Sequence, residues 1–253
     1  MLRSSIRSLF IALACLAAFA LSSASARATC RIEPFGDSIT QGVGSAVGGY
    51  RYALVTWPPL VGGSPLAIQM VGAQVDTTFP GLVVANQHYH SGVPGWRNDQ
   101  LAAVAGALPA YPVYPGGLPP NIVLVHAGTN DIHQGATAST AAFRLQQLLV
   151  ALSTKYPAAK IIVAKIIPFG PQPEHVVRNQ VVVQYNSAIP GIVTNLNAFY
   201  PPSDPKFFIA DMHAYFPTNH LWPDGIHPTD PGYYEMGVRW RMSIEAVADL
   251  AGC

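Results

Sequence analysis

Charged residues are scarce in this sequence, at 11% of its 253 residues, and neither sign dominates. The 14 Lys and Arg residues against 13 Asp and Glu residues give a formal net charge of +1. A nucleic-acid-binding surface needs a basic surplus, so we expect no nucleic-acid partner. Half of the residues are hydrophobic, which excludes a chain that is disordered throughout and is enough for one domain with a sizeable core.

Several other features are missing. Only three cysteines are present, which excludes a structural zinc cluster of four cysteines. The sequence has no N-x-S/T glycosylation sequon, no G-x-S-x-G nucleophile elbow and no H-E-x-x-H metal motif. Beyond residue 28 it has no apolar run of membrane-spanning length. These absences disfavour an α/β-hydrolase fold, a zinc protease and an integral membrane protein.

The first 28 residues have the pattern of a secretory signal peptide. Arg3 and Arg7 precede an apolar run over residues 9–21, and Ala26-Arg27-Ala28 offers a small-residue cleavage site. The apolar run is shorter than the roughly 20 residues of a spanning helix, so we expect no stable membrane anchor. We therefore predict a signal peptide over residues 1–28, one domain over residues 29–253, and a secreted or periplasmic location.

Strand and helix patterns alternate along the rest of the chain. Short runs of β-branched apolar residues are typical of strands buried on both faces of a parallel sheet. They lie at residues 31–36, 66–72, 121–127, 160–167 and 206–212. Helical patterns lie at residues 98–108, 140–155 and 174–196, the last interrupted at Pro190, and from an Asp230 N-cap towards Leu250. The order predicts an α/β fold: one three-layer α/β/α sandwich with a five-stranded parallel sheet.

Polar segments follow three of the predicted strands, at residues 36–40, 128–131 and 224–228, and a fourth lies at residues 92–96, before the first Ala-rich helix. In open α/β sheets, sites form at the carboxyl ends of the strands. Nucleophilic serine chemistry needs a hydroxyl, a base, a group that orients the base, and donors for the oxyanion. These segments supply every part.

Ser38 is the candidate nucleophile, at a strand-to-helix turn. His227 is the natural base, and Asp224, three residues earlier, can reach its other ring nitrogen. Gly95 can present a backbone N–H, and Asn130 can donate from its carboxamide. We expect these residues to form one catalytic site.

In order and approximate spacing, Gly36-Asp37-Ser38, Gly95, Gly128-x-Asn130-Asp131 and Asp224-x-x-His227 resemble the four blocks of the SGNH (GDSL) hydrolases. The resemblance implies a flavodoxin-like sandwich and a Ser38–Asp224–His227 triad. It also implies an oxyanion hole from the Ser38 N–H, the Gly95 N–H and the Asn130 side chain. No cofactor and no metal are implied.

Residues 31–42, the triplet Gly49-Tyr50-Arg51 and residues 126–131 look like the secreted acetylxylan esterases of carbohydrate esterase family 3. So does the segment 224–233. The implied function is hydrolysis of short acyl esters, acetyl above all, on a carbohydrate such as an acetylated polysaccharide. The Pro- and Tyr-rich residues near 110–120 depart from this pattern.

Alternative interpretations stay open. One is a lipolytic or broad-specificity aryl-esterase or lysophospholipase of the same fold, and another is a non-catalytic carbohydrate-binding relative. His88 and His90 have metal-like spacing, but no third ligand lies nearby in the sequence, so we expect no metal. The oligomeric state is open, with a monomer expected.

Several side chains near the site segments have structural as well as functional interpretations. Trp96 and Trp222 flank the site segments and could stack on sugar rings or simply pack. Trp57 is expected in the core. His126, inside a buried strand, is expected to be a hydrogen-bonded core residue.

Two cysteines remain after residue 28, Cys30 and Cys253, and an exported chain meets oxidising conditions. Cys30 precedes the first strand, whose far end carries Ser38. The last helix begins near His227 at that same edge and should return antiparallel to the strands, so its end should lie beside Cys30. We predict a disulfide between the two.

Overall fold

The computed structural model describes residues 28–56, 66–107 and 117–253. These residues form seven strands, namely β1 (Cys30–Gly36), β2 (Ile68–Met70), β3 (Gln74–Val75), β4 (Tyr89–Gly92), β5 (Ile122–His126), β6 (Lys160–Lys165) and β7 (Phe207–Asp211). The helices are α1 (Ser38–Gln41), α2 (Tyr50–Thr56), α3 (Pro80–Val84), α4 (Asn98–Ala107), α5 (Thr129–His133), α6 (Ala138–Lys155), α7 (Val176–Asn197) and α8 (Asp230–Val247). Short 3₁₀ turns lie at Pro173–His175 and Thr218–His220.

The sheet is parallel except at one edge. β1 pairs with β5, β5 with β6 and β6 with β7, all in parallel. On the other side of β1, β2 pairs with its beginning and β4 with its end, so these two short strands share one position. The five parallel positions predicted from the sequence are therefore confirmed, in the flavodoxin-like order 2-1-3-4-5.

Two of the seven strands were not predicted. β3 is only two residues long, exposed, and pairs antiparallel with β4. β4 has the sequence Tyr-His-Ser-Gly, which contains no β-branched apolar residue. Such short strands give no periodic hydrophobic signal; β4 is set by its pairing with β1, and β3 by its pairing with β4.

The central strands are buried because helices cover both faces of the sheet. All five residues of β5 are buried, and alternate residues point into two separate clusters. Val123 and Val125 pack in the cluster formed with α6 and α7. Leu124 packs in the opposite cluster, with Trp240 of α8. This confirms the three-layer sandwich and fixes the carboxyl edge of the sheet as the place where the strand-end loops meet.

Two predictions about the helices were wrong. α7 continues through Pro190 without interruption. Proline removes one backbone hydrogen bond, but Ile189 and Val193 are buried in the core on either side of it, and this packing keeps the helix intact. The N-cap of α8 is Thr229 rather than Asp230, which is the first helical residue. The Asp230 carboxylate instead accepts hydrogen bonds from the Ser45 hydroxyl and the Ala46 N–H.

The predicted disulfide is confirmed: Cys30 and Cys253 are bonded, with their Cα atoms 4.9 Å apart. The bond lies at the amino end of β1, opposite the edge that carries Ser38. Within the described residues, none of the helices is both long and apolar enough to cross a membrane. Residues 1–27, Trp57 and most of the segment near 110–120 lie outside the described residues.

We expect the double substitution Cys30→Ala/Cys253→Ala to lower stability while leaving a folded protein. The disulfide joins two residues that are 223 positions apart in the sequence. For a loop of this length, the chain-entropy model gives a stabilisation of at most about 5 kcal/mol. The C-terminus keeps a second attachment, because the Asn121 side chain donates to the Ala251 carbonyl. Urea unfolding measures the difference, with reduced wild-type protein as the control. Equal stability of the variant and oxidised wild type would contradict the prediction.

Candidate active site

Ser38 is the first residue of α1, directly after β1. Asp37 is the N-cap, and its Oδ1 accepts a hydrogen bond from the Ile39 N–H at 3.0 Å. Gly36 lies so close to β5 that an added Cβ would come within 2.1 Å of the His126 carbonyl oxygen. The turn can therefore follow the strand this tightly only because residue 36 has no side chain.

The other end of α1 is held by the helix that follows it. The Arg51 guanidinium donates to the Gln41 carbonyl at 2.6 Å, and the Tyr50 hydroxyl donates to Thr40 Oγ1 at 3.2 Å. Both Tyr50 and Arg51 are completely buried. The short helix that carries Ser38 is thus fixed at both ends.

His227 reaches Ser38 from the loop before α8. Its Nε2 lies 2.9 Å from Ser38 Oγ, and its Nδ1 lies 2.7 Å from Asp224 Oδ2. The second carboxylate oxygen of Asp224 accepts the backbone N–H groups of Ile226 and His227, at 2.8 and 3.1 Å. The carboxylate thus fixes both the turn and the imidazole. The structure therefore brings together the three residues that the sequence predicts as a triad.

The Asp224 carboxyl is suited to remain ionised. Partial burial raises its pKa, but the hydrogen bonds from the His227 ring and from the Ile226 and His227 N–H groups outweigh this effect. The net pKa of Asp224 therefore lies below its ordinary value. An ionised carboxylate can orient the imidazole and stabilise its protonated form.

A segment after β6 supports the turn that carries Asp224 and His227. The Gly170 N–H donates to the Gly225 carbonyl at 2.8 Å, and the Gln172 amide donates to the Pro223 carbonyl at 3.0 Å. Gly225 has φ +65°, and a Cβ there would lie 2.4 Å from Gln172 Oε1. The sequence analysis missed Gly170 and Gln172. Their position beyond a buried strand was the available signal, since three of the four predicted site segments share it.

The predicted oxyanion donors come from the start of α1, the loop before α4 and the first turn of α5. Gly95 has φ +77°, and no atom of the described residues lies within 4 Å of an added Cβ, so the backbone there is open. Its carbonyl accepts a hydrogen bond from the Gln134 amide at 2.9 Å. Asn130 Nδ2 donates to Asp37 Oδ2 at 3.2 Å, which leaves its second amide hydrogen for another acceptor. The Ser38 N–H lies in the first helical turn, where N–H groups have no intrahelical partner.

Two buried carboxyl groups support the donors without touching Ser38 Oγ. Asp131 accepts the Asn98 N–H at the start of α4 and the Arg144 guanidinium of α6, at 2.8 and 3.0 Å. Asp37 is completely buried, and this burial raises its pKa to about 7 despite the hydrogen bonds from Ile39 and Asn130. Both residues hold loops and helix starts in place.

The two tryptophans differ in their surroundings. Trp96 is half-buried and packs against the core cluster on the α6 side. Trp222 is 47% exposed, and its indole N–H donates to the Gly44 carbonyl. An added Cβ at Gly44 would lie 2.7 Å from the Trp222 ring, so the ring lies flush against this loop. Trp222 therefore presents an exposed aromatic surface, and its backbone N–H donates to the His227 carbonyl at 2.8 Å. Trp96 is less exposed.

His126 and His90 lie outside the triad, and neither belongs to a metal site within the described residues. His126 is completely buried as expected, but its ring nitrogens have no hydrogen-bond partner among the described residues, which corrects the expectation of a bonded core histidine. Burial lowers its pKa to about 4, so the ring is neutral. The His90 Nδ1 accepts the Gly92 N–H. No group of three or more His, Cys, Asp or Glu side chains in the described part of the chain could hold a metal ion.

Comparison with known proteins adds a family and several relatives. The model of the GDSL-like lipase/acylhydrolase family matches residues 35–234. A multidomain esterase of Ruminococcus flavefaciens is 27% identical over 234 residues, which are 87% of this chain but 29% of that protein. The chain thus spans less than a third of the length of this relative.

Two solved structures are similar over nearly their whole length. One is a family 3 carbohydrate esterase of Clostridium thermocellum, 26% identical, with a TM-score of 0.66 over 89% of this chain and 100% of the other. The second is a carbohydrate esterase family 3 protein from Talaromyces cellulolyticus, 25% identical, with a TM-score of 0.65 over 87% and 99%.

We expect Asp37 to make stability depend on pH. Its folded-state pKa of about 7 lies above the 3.8 of an unperturbed carboxyl. Unfolding therefore releases its proton between these values, and the free energy of unfolding falls as pH rises from 4 to 7, by at most about 1.4 kcal/mol per pH unit. In Asp37→Asn this part of the slope should disappear. Urea unfolding at pH 4, 5.5 and 7 tests this, with the exposed Glu174→Gln as control. A variant with the wild-type slope would refute the assignment.

Proposed function

The chain belongs to the GDSL-like lipase/acylhydrolase family, and from that premise we propose that it is a serine esterase. The nucleophile is Ser38, the base is His227 and the residue that orients the base is Asp224. The observation that supports this assignment is the continuous hydrogen-bonded line from Asp224 through His227 to Ser38 Oγ, with contacts of 2.7 and 2.9 Å. Such a line is the arrangement that activates a serine hydroxyl.

The reaction has two halves. In the first, His227 Nε2 takes the Ser38 proton while Oγ attacks the ester carbonyl carbon. The Ser38 N–H, the Gly95 N–H and the free amide hydrogen of Asn130 stabilise the resulting oxyanion. The protonated His227 then gives its proton to the leaving alcohol, and the carbon–oxygen bond of the ester breaks. In the second half, His227 deprotonates a water molecule that hydrolyses the acyl-enzyme, and Ser38 regains its proton.

We assign the substrate as a short-chain acyl ester, with acetyl first, on a carbohydrate such as an acetylated polysaccharide. Two relatives are carbohydrate esterases by name, which supports the carbohydrate part. The half-exposed Trp222 offers an aromatic surface beside His227 for a sugar ring. Trp96 is a weaker candidate, because it packs against the core cluster.

The protein acts as a secreted or periplasmic enzyme in this proposal. The pattern of residues 1–28 predicts export, and the Cys30–Cys253 disulfide fits an oxidising compartment. We propose that the enzyme is a monomer. We also propose that it needs no cofactor and no metal, because the three side chains and the oxyanion donors supply every group the reaction requires. A lipolytic or aryl-esterase activity is the second candidate, favoured only by the breadth of the family name.

We expect Ser38→Ala to abolish ester hydrolysis. The loss of a triad member typically costs about three to six orders of magnitude in turnover. A serine-directed phosphonate should label wild-type protein at Ser38 alone. The control is Ser187→Ala, which removes an exposed serine on α7 and should leave the rate unchanged. Residual activity of Ser38→Ala above a tenth of wild type would overturn the mechanism, and no turnover in wild type would leave a binding protein.

We also expect acetate or propionate esters to give the highest kcat/KM. The loops around Ser38, at residues 42–50, 92–97 and 219–223, consist mainly of glycine, polar and aromatic residues. They contain no long aliphatic run, so the gain of about 0.8 kcal/mol per buried methylene group is mostly not available to a long acyl chain. A series of p-nitrophenyl esters from acetate to palmitate measures the preference. A maximum at octanoate or beyond would favour the lipolytic alternative instead.

A further inference from the structure

A cavity of about 260 Å³ lies between β3, the end of β4 and the end of α1. Most of its lining is polar, with Gln41, Gln74, Asp76, Thr77, Thr78 and His90 in its wall. The apolar contributions come from Val75 and Pro94. The proposed mechanism uses none of these side chains.

Two side chains form a donor and an acceptor next to each other in this cavity. His90 is only 2% exposed, and its Nδ1 accepts the Gly92 N–H at 3.0 Å, so the ring proton of the neutral imidazole is on Nε2. That Nε2 lies 3.8 Å from Asp76 Oδ2, which is too far for a hydrogen bond. Among the described residues, the Nε2–H donor therefore has no acceptor at bonding distance, and it lies beside a carboxylate oxygen that can accept. A hydroxyl group, which both accepts and donates, can bond to the two at once.

The net charge of the cavity wall limits which kinds of ligand can bind there. Asp76 forms an ion pair with the buried Arg51, whose Nη2 lies 3.3 Å from Oδ2, so the pair carries no net charge. The other polar groups in the lining are amides, hydroxyls and a histidine, which have no net charge when the histidine is neutral. Such a lining stabilises neither a charged group nor a long acyl chain. An ion would lack a counter-charge there, and a chain would lack apolar contacts. A compact neutral ligand with several hydroxyl groups fits best.

Two residues of the cavity wall adjoin the reacting groups along the chain. Pro94 in its wall immediately precedes Gly95, a proposed oxyanion donor, and Gln41 lies one helical turn after Ser38. We propose that this cavity is a glycosyl subsite, in which one neutral sugar ring of the ester substrate binds with a hydroxyl group between His90 and Asp76. The proposal rests on the esterase function proposed for Ser38 and names the part of the alcohol that the enzyme recognises.

The test compares two substrates in each variant: partially acetylated xylo-oligosaccharides, which have sugar hydroxyls, and p-nitrophenyl acetate, which has none. The quantity measured is the ratio of the two kcat/KM values. His90→Asn keeps an acceptor for the Gly92 N–H but removes the Nε2–H donor, and Gln74→Ala shortens an exposed wall residue. Each variant should lower the ratio about fivefold to tenfold, the effect of one lost hydrogen bond to a neutral group.

The matched control is Gln147→Ala, which makes the same change on the exposed face of α6, far from the cavity in the fold, and should leave the ratio unchanged. Circular dichroism and thermal unfolding establish that His90→Asn folds, and Gln74→Ala tests the proposal independently of that variant. An unchanged ratio in the folded variants would overturn the subsite. Hydrolysis of the aryl ester alone by wild type would overturn it while leaving the esterase function. Hydrolysis of neither ester would refute the proposed function itself.

Discussion

The contact between Ser38 Oγ and His227 Nε2 joins two segments that are 189 residues apart in the sequence. A contact of 2.9 Å tolerates little movement at either end, so much of the surrounding structure holds those ends in place. On the serine side, the close packing of Gly36 on β5 sets where β1 ends. On the histidine side, hydrogen bonds from Gly170 and Gln172 fix the turn that carries His227. Asp230 ties the start of α8 to the loop after α1, and so connects the two sides directly.

The parts of the fold that could be predicted are those where local pattern and burial agree. β5 and β6 have apolar residues through their centres and are covered on both faces, and their bounds differ from the prediction by no more than two residues. The polar segments at the carboxyl ends of β1 and β5 also followed from the sequence, because a parallel sheet collects those ends at one edge.

The rest depends on tertiary contacts that leave no local trace. β4 is a strand because β1 offers it hydrogen bonds, while its own residues are polar or aromatic. The sequence pattern predicts Asp230 as an N-cap, yet its carboxylate accepts hydrogen bonds from Ser45 and Ala46 instead. The supporting role of Gln172 depends on a turn more than 50 residues later. The environment of His126, buried without a partner among the described residues, also follows from packing alone.

Burial also shapes the electrostatics beneath the proposed oxyanion donors. Asp37 holds the Asn130 amide by a hydrogen bond, and a full negative charge there would oppose an oxyanion forming nearby. Because burial raises the Asp37 pKa to about 7, the carboxyl carries only part of a charge at neutral pH. Asp131 is raised in pKa by burial as well, and Arg144 offsets what charge remains. The donors can therefore be oriented by carboxyl groups at a small electrostatic cost to the transition state.

Arg51 connects the helix that carries Ser38 to the wall of the proposed glycosyl subsite. One nitrogen, Nη2, donates to the Gln41 carbonyl at the end of the nucleophile helix and also contacts Asp76 in the cavity wall. A guanidinium is rigid and planar, so a displacement of Asp76 shifts the support of α1 as well. If a sugar hydroxyl binds between Asp76 and His90, it strengthens the position of Asp76 and, through Arg51, that of the helix bearing Ser38. Recognition of the alcohol part and positioning of the nucleophile then share one completely buried charge.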